Sequence, residues 1–332
     1  YVVDVFNMWQ ELEHYVGRRT TGTKPGRYAI VPPGWKGELP ADVKRLDVTT
    51  SKVWLWGRIL LKQGEDIKPV AKLQDGFTLT PLDPASAKKT TLPPIPAAKS
   101  AGLEFLADLS SALEYNSVKP VDEALFGQFA RIGLTKEGFD PSKISEPMRK
   151  GLVRGLADGP AVAISSFAST ATVRNGWTWV TGLDSFGFNY PMRAMVAGPY
   201  LGGNGEREAV YPIRYTDGDG KTLSGSNRYE IKLDRDPPVG AFWSLTMYNA
   251  SDKMLVENPI DRFKVGSDTQ GLKHAADGSI TIPIQTDKPT GDAAANWLPA
   301  PKGDFYLILR LYQPSEEILN DTYKLPQVKK LN

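Results

Sequence analysis

The strongest constraint on the fold is a change of pattern near residue 160. From there to the end of the chain, short segments of alternating apolar and polar residues are separated by turn signals. Examples of these signals are Asp217-Gly218-Asp219-Gly220, Asn249-Ala250-Ser251-Asp252 and Ala276-Asp277-Gly278. Alternation with a period of two is typical of strands that bury one face, and frequent turns are typical of sandwiches and barrels. The pattern predicts an antiparallel β-sandwich over residues 160–332.

Two of the predicted strands have faces of different character. In each of the segments 305–312 and 242–248, every second residue is apolar, starting at Phe305 in the first and at Trp243 in the second, so that one face is apolar. The opposite face carries Thr246 and Tyr248 on one strand and Arg310 and Tyr312 on the other. Such a face suits either a groove for a polar ligand or the solvated outside of a sandwich. The sequence leaves both interpretations open.

The first half of the chain has a mixed pattern. Residues 1–80 are rich in β-formers, with predicted strands at 27–32 and 52–60, and the segment 53–56 is apolar on both faces, which predicts a central strand. A proline-rich linker is predicted for 81–100, and three amphipathic helices follow, the third capped by Ser145. We therefore predict an α+β, mainly β, fold. Its parts are a β-rich module (1–85), a linker and helical segment (86–159) and the β-sandwich (160–332).

Composition excludes several classes of partner and site. Lys and Arg total 40 and Asp and Glu total 38, without a basic block, so we predict no nucleic-acid partner. No apolar run reaches the length of about 18 residues that a membrane span needs, so no span is predicted. The chain has no cysteine, which excludes disulfides, thiolate metal sites and a cysteine nucleophile.

Known catalytic and cofactor motifs are not matched. The segment 182–187 has the wrong spacing for a hydrolase nucleophile turn, and the two histidines, His14 and His274, match no triad or metal motif. We interpret both histidines as surface residues, with His14 in a helix or loop. The glycine-rich segment 202–206 lacks the residues of a phosphate loop, and the acidic turn at 217–220 lacks the downstream Glu of a calcium loop. We predict no cofactor and no metal.

Amide residues lie next to aromatic residues at three places in the sandwich region: 189–190, 227–229 and 296–297. Aromatic rings beside amides can hold sugars or peptides, but core aromatics beside turn-capping Asn give the same pattern. Arg310 and Arg193 each lie near tyrosines, where an arginine binds either an anionic ligand group or a buried acid. The candidate ligand-binding residues are Arg310, Tyr312, Arg193, Asn227, Tyr229, Thr246, Tyr248, Asn296 and Trp297.

Several longer motifs resemble a known pair of bacterial domains. The stretches 208–212, 227–229, 242–248, 258–259, 296–301 and 306–312 resemble the domain of unknown function numbered 1214. Residues 15–22 and 34–37 resemble its partner domain, numbered 1254. The resemblance implies two modules with a helical segment between them and a jelly-roll-like C-terminal sandwich. It also implies a segment upstream of Tyr1, export signals, and hence a periplasmic or secreted location.

Two functions remain open from the sequence. The first is binding of a polar small molecule or glycan, with homo-oligomer formation left open. The second is a glycan- or glycopeptide-processing hydrolase, which needs a pair of carboxyl groups. Carboxylates considered for this second role are Glu206, Glu208, Glu230, Asp234, Glu257 and Asp304.

Overall fold

The computed structural model describes residues 1–62, 64–82, 102–198 and 200–331. The chain folds into two compact units. The first unit comprises Tyr1–Ile59, Ile67–Ser169 and Asp184–Gly203, and the second comprises Leu60–Asp66, Thr170–Leu183 and Asn204–Asn332. This division differs from the predicted three parts, because the expected boundary at residue 160 lies inside a continuous helix. The linker predicted for 81–100 lies almost wholly outside the described residues.

The first unit combines short strands with helices. Its strands are β1 (Val2–Asn7), β2 (Leu12–Gly17), β3 (Arg27–Val31), β4 (Val43–Asp47) and β5 (Val53–Arg58). Its helices are α1 (Lys68–Asp75), α2 (Glu104–Tyr115), α3 (Glu123–Arg131), α4 (Glu146–Thr170) and α5 (Tyr190–Val196), with a 3-10 turn at Pro120–Asp122. Strands β2, β1 and β5 form an antiparallel sheet in that order, while β3 and β4 form a separate parallel pair.

The three-stranded sheet corrects two expectations, one about strand order and one about His14. Among the described residues β5 is an edge strand, and β1 is central. The segment around Trp54 and Leu55 is apolar on both faces because Trp54 stacks on Phe6 on one side, while Leu55 lines an apolar pocket on the other. His14 lies in strand β2 and not in a helix or loop, and its Nε2 is 2.6 Å from the carbonyl oxygen of Asp47.

The three amphipathic patterns correspond to α2, α3 and α4. Leu106, Leu134 and Phe139 form the buried centre of a small core. Partly buried residues from each helix, among them Leu109, Phe129 and Leu152, pack around it. Ser145 precedes α4, and its hydroxyl accepts a hydrogen bond from the Met148 amide at 3.4 Å, as expected for an N-cap.

The second unit is a mainly antiparallel β-sandwich, which confirms the predicted fold class. Its strands are β6 (Thr172–Arg174), β7 (Trp177–Trp179), β8 (Ala209–Val210), β9 (Ile213–Arg214), β10 (Arg228–Leu233), β11 (Trp243–Asn249), β12 (Lys264–Gly266), β13 (Ile280–Gln285), β14 (Leu298–Pro299), β15 (Phe305–Tyr312) and β16 (Lys329–Leu331). A short helix, α6 (Glu316–Leu319), and a 3-10 turn at Gly291–Ala295 complete the unit. The larger sheet has the order β12-β11-β15-β9-β7-β6, with β8 also paired to β15, and the smaller has the order β14-β13-β10-β16.

A single hydrophobic core joins the two sheets. It contains alternate residues of β11 and β15 from the larger sheet and of β10 and β13 from the smaller. Phe305, Leu307, Leu309 and Leu311 are each at most 2% exposed, which confirms the predicted core face of β15. The side chains on the opposite faces of β11 and β15 therefore take no part in this core.

Arg214 is a buried arginine that ties loops to the larger sheet. It is 2% exposed, and its guanidinium donates hydrogen bonds to the carbonyl oxygens of Asn175, Thr216 and Asp217. Burial lowers the pKa of this guanidinium, while Asp217 opposes that shift. Gly176 lies directly against Arg214 and has a φ of +79°. No described helix combines the length and the hydropathy needed to span a membrane.

Candidate functional site

The polar face of the larger sheet places Arg310 among hydroxyl groups. Strands β11 and β15 pair so that Arg310 lies opposite Ser244 and Tyr306 lies opposite Tyr248. Alternation along both strands puts these side chains on the face away from the core. The Arg310 guanidinium donates hydrogen bonds to the hydroxyls of Thr246 and Tyr248, and lies 5.6 Å from the centre of the Tyr248 ring.

These three residues line a cleft of about 450 Å³ that belongs entirely to the second unit. This volume lies within the range of small-molecule sites, roughly 300–1,000 Å³. The remaining lining residues come from the segment at 60–66, from the loop after β11 and from β12. They are Leu61, Lys62, Gly64, Glu65, Leu255, Asp261, Phe263 and Lys264.

The charges around the cleft are unequally neutralised. Lys62 lies 3.6 Å from Glu65, and Lys264 lies 2.5 Å from Asp268, so both lysines have acidic partners. No carboxylate within the described part of the chain forms an ion pair with Arg310. Because hydroxyl groups are neutral, the positive charge of Arg310 is solvated by them but not cancelled. The cleft therefore contains a partly buried guanidinium that is in no ion pair with the described residues.

One wall of the cleft is a loop held by side-chain hydrogen bonds. The Asn258 side-chain oxygen accepts from the amides of Ile260 and Arg262, a turn that holds Asp261 at a φ of +49°. Arg262 in turn donates to the carbonyl oxygens of Ala294, Ala295 and Trp297. Burial lowers the pKa of Arg262. The Asn258 turn thus fixes Asp261 at the edge of the cleft.

Tyr312 was predicted to share the site with Arg310, but it does not line the cleft. Its ring stacks on Phe242 at 4.3 Å and meets Tyr211 edge-on at 5.9 Å. A second stack joins Tyr248 and Tyr306, with ring centres 5.4 Å apart. Tyrosines on this face thus lie on both sides of Arg310, and Tyr248 is the one that reaches the cleft.

Four other predicted ligand-binding residues are parts of the sandwich frame. Tyr229 is fully buried, and its hydroxyl accepts hydrogen bonds from Asn227 and from the Ser224 amide. Asn296 and Trp297 are 5% and 4% exposed. None of Asn227, Tyr229, Asn296 and Trp297 lines the Arg310 cleft. The amide and aromatic pairs mark turn caps and core rings, the alternative that the sequence also allowed.

Asn296 gives a test of this structural role. Its side chain accepts from the Lys273 amide at 2.8 Å and donates to the carbonyl oxygens of Lys273 and Thr281. Replacing Asn296 with alanine leaves these buried groups unpaired, so we expect a loss of about 1–3 kcal/mol in the free energy of unfolding, measured by urea denaturation. Asn320→Ala at an exposed helix end is the control, and equal midpoints for the two variants would contradict the role.

Arg193 lies in the first unit, inside a buried charge network. It pairs with Asp122 at 3.4 Å and with Glu11 at 3.6 Å, and Glu11 also pairs with Lys119. The Tyr190 hydroxyl donates to Asp122 at 3.0 Å; desolvation and this hydrogen bond raise the pKa of Tyr190. Arg193 thus differs from Arg310, because its charge is neutralised by the carboxylates of Glu11 and Asp122.

The remaining motif residues form no site. His274 Nε2 lies 2.8 Å from Asp236, which also accepts from the Trp243 indole at 2.7 Å. Glu206 accepts from the Gly182 amide, and Glu230 pairs with Lys329. Within the described ranges, no group of three or more His, Asp or Glu side chains could hold a metal ion.

Comparison with known proteins identifies the chain's two domains. Residues 208–316 match the family model "Protein of unknown function (DUF1214)", and residues 1–81 match "Protein of unknown function (DUF1254)". No curated protein matches the chain.

Two solved structures are similar to different degrees. The crystal structure of the VPA0106 protein from Vibrio parahaemolyticus has a TM-score of 0.76 and 25% identity, covering 100% of this chain and 82% of that chain. The crystal structure of a putative uncharacterized protein from Burkholderia cenocepacia has a TM-score of only 0.29 and 16% identity, covering 64% of this chain and 48% of that chain. The family matches therefore confirm the predicted pairing: a match to DUF1254 at residues 1–81 is followed by a match to DUF1214 at residues 208–316.

Proposed function

We propose that the second unit binds a polar ligand in the Arg310 cleft, and that this ligand is a glycan carrying an acidic group. The observation that carries the proposal is the state of Arg310: partly buried, hydrogen-bonded to Thr246 and Tyr248, and without an acidic partner in the described residues. A guanidinium in such surroundings gains most from a carboxylate or sulfate that completes its hydrogen bonding.

The neighbouring side chains support a sugar as the body of the ligand. Tyr248 and Phe263 supply rings to the wall of the cleft, and a sugar ring can pack on such faces. Lys62, Glu65 and Asp261 supply hydrogen-bonding groups to the same cleft. Few polar groups around apolar contacts are typical of small-molecule sites.

The proposal is tested with matched ligands. We expect oligogalacturonides to raise the melting temperature of the protein, because a ligand that binds only the folded state stabilises it by mass action. Neutral galacto-oligosaccharides of the same length should give a much smaller shift. Arg310→Gln should weaken oligogalacturonide binding about tenfold or more in isothermal titration calorimetry.

Arg207→Gln serves as the control variant, since Arg207 is exposed and pairs with Glu316. It should leave binding unchanged. Equal affinity for acidic and neutral sugars, or equal affinity of the wild type and Arg310→Gln, would contradict a role for Arg310 in holding an acid group.

A second candidate function is hydrolysis of a glycan in the same cleft. The specific observation in its favour is that two carboxylates, Glu65 and Asp261, line the cleft beside Tyr248. Glycoside cleavage requires two such groups on either side of the scissile bond. Release of reducing ends by the wild type, with loss of this release in both Glu65→Gln and Asp261→Asn, would support hydrolysis. Binding of the glycan without release of reducing ends would contradict hydrolysis and support the binding function.

The location of the protein belongs to the same proposal. We propose a periplasmic or secreted protein, and the absence of cysteine is compatible with an oxidising compartment. Fractionation of cells that express the full-length protein tests this location, and a purely cytoplasmic signal would overturn it.

A further inference from the structure

A second cavity, of about 980 Å³, lies within the first unit and is mainly apolar. One face of the three-stranded sheet forms its floor, with Val3 and Val5 of β1, Val16 of β2 and Leu55 of β5. These side chains share a face because Val3 pairs with Val16 and Val5 pairs with Leu55. The cavity is at the upper end of the size range of ligand sites.

Apolar side chains in and around this cavity are unusually exposed. Leu55, Phe77 and Leu79 are 43%, 48% and 83% exposed, and all three line the cavity. A contiguous exposed apolar surface of this kind marks a binding site for an apolar molecule or segment.

Two basic side chains that do not themselves line the cavity lie over aromatic rings that do. The Lys44 ammonium lies 5.8 Å from the ring centre of Tyr28, and the Arg45 guanidinium lies 5.4 Å from that of Trp35; both rings line the cavity. Arg45 is neutralised by Asp47, whereas Lys44 forms no ion pair with any described residue. Lys44 is therefore an exposed cation, in no ion pair with the described residues, next to a ring that lines the cavity.

We propose that this cavity binds a free, single-chain amphipathic carboxylate of the fatty-acid class, with its alkyl chain on the Val5 and Leu55 floor and its carboxylate at Lys44. Burial of the alkyl chain contributes roughly 0.8 kcal/mol for each methylene removed from water. A carboxylate beside Tyr28 would pair with Lys44, whereas a neutral hydrocarbon would leave that charge without a partner. This proposal concerns the first unit and does not depend on the Arg310 cleft.

Binding is measured on the full-length protein by titrating palmitate and following tryptophan fluorescence, since Trp35 lines the cavity. We expect affinity to rise with chain length from octanoate to palmitate and to fall severalfold for the matched alcohol, hexadecanol. Leu55→Glu should weaken palmitate binding about tenfold or more, because it places a like charge on the floor. Leu60→Glu is the matched control, since Leu60 has almost the same exposure, 41%, and does not line the cavity.

Two further variants keep the test decisive if Leu55→Glu folds poorly. Leu79→Glu alters a side chain that is almost fully exposed, so it cannot disturb the core, and it should also weaken binding. Lys44→Gln should remove the preference for the acid over the alcohol, whereas Lys150→Gln on α4 should not. Absence of palmitate binding to the wild type, or equal binding by Leu79→Glu and Leu60→Glu, would overturn the proposal.

Discussion

Replacing Gly176 with alanine is expected to destabilise the second unit by about 3 kcal/mol or more. Two costs combine at this position. Gly176 has a φ of +79°, where an L-residue is disfavoured by roughly 1–2 kcal/mol. A Cβ atom there would also overlap the Arg214 guanidinium, so Arg214 must move from the carbonyl oxygens that it holds. Each buried carbonyl left unpaired costs about 1–3 kcal/mol.

The matched control is Gly278→Ala. Gly278 has a φ of +84°, but nothing lies within 4 Å of a Cβ built on it. This variant therefore carries only the backbone cost. The free energy of unfolding is measured by urea denaturation, with hydrogen exchange of β9 peptides to show that the second unit is affected. Equal losses of unfolding free energy in the two variants would mean that Arg214 can move away from the added Cβ atom without a cost in stability.

Replacing Arg193 with leucine is expected to destabilise the first unit by about 3–5 kcal/mol, because it leaves buried acids without their guanidinium partner. Asp122 is fully buried, and Glu11 is 6% exposed. Tyr190 and Lys119 would remain as their partners and limit the loss. The charge is central to this effect, so Arg193→Lys should recover part of the stability.

Arg131→Leu on α3 is the control for this variant, since Arg131 is exposed in the same unit. Its denaturation midpoint should match that of the wild type. If Arg193→Leu unfolded at the same denaturant concentration as Arg131→Leu, the buried network would contribute nothing net to stability. Charged pairs can behave in that way when their desolvation cancels their attraction.

The strand pattern of the sandwich could be predicted because it is local. The period of two in β11 and β15 places Arg310, Thr246 and Tyr248 on one face, and the structure brings these three together. The pairing of the two strands in register then completes the contact. Patterns of this kind depend only on alternation and on the presence of an apolar face.

The rest of the site depends on contacts that the pattern does not encode. Leu61, Lys62 and Glu65 reach the cleft from a segment far along the chain from β11 and β15. Nothing in their composition distinguishes them from a solvated turn. The buried positions of Trp297 and Tyr229 could not be predicted for a different reason: a buried ring with a hydrogen-bonded polar atom has the same sequence as a ring in a groove.

The division of the chain into units also has a consequence for how fragments behave. The chain passes between the two units five times, at residues 59–60, 66–67, 169–170, 183–184 and 203–204. A fragment cut at the last passage would contain β8 to β16 but would lack β6, β7 and the Leu61–Glu65 side of the cleft. The family-model boundaries at 81 and 208 are therefore unsuitable ends for expressing either half. Limited proteolysis should accordingly release no soluble piece that retains the Arg310 cleft.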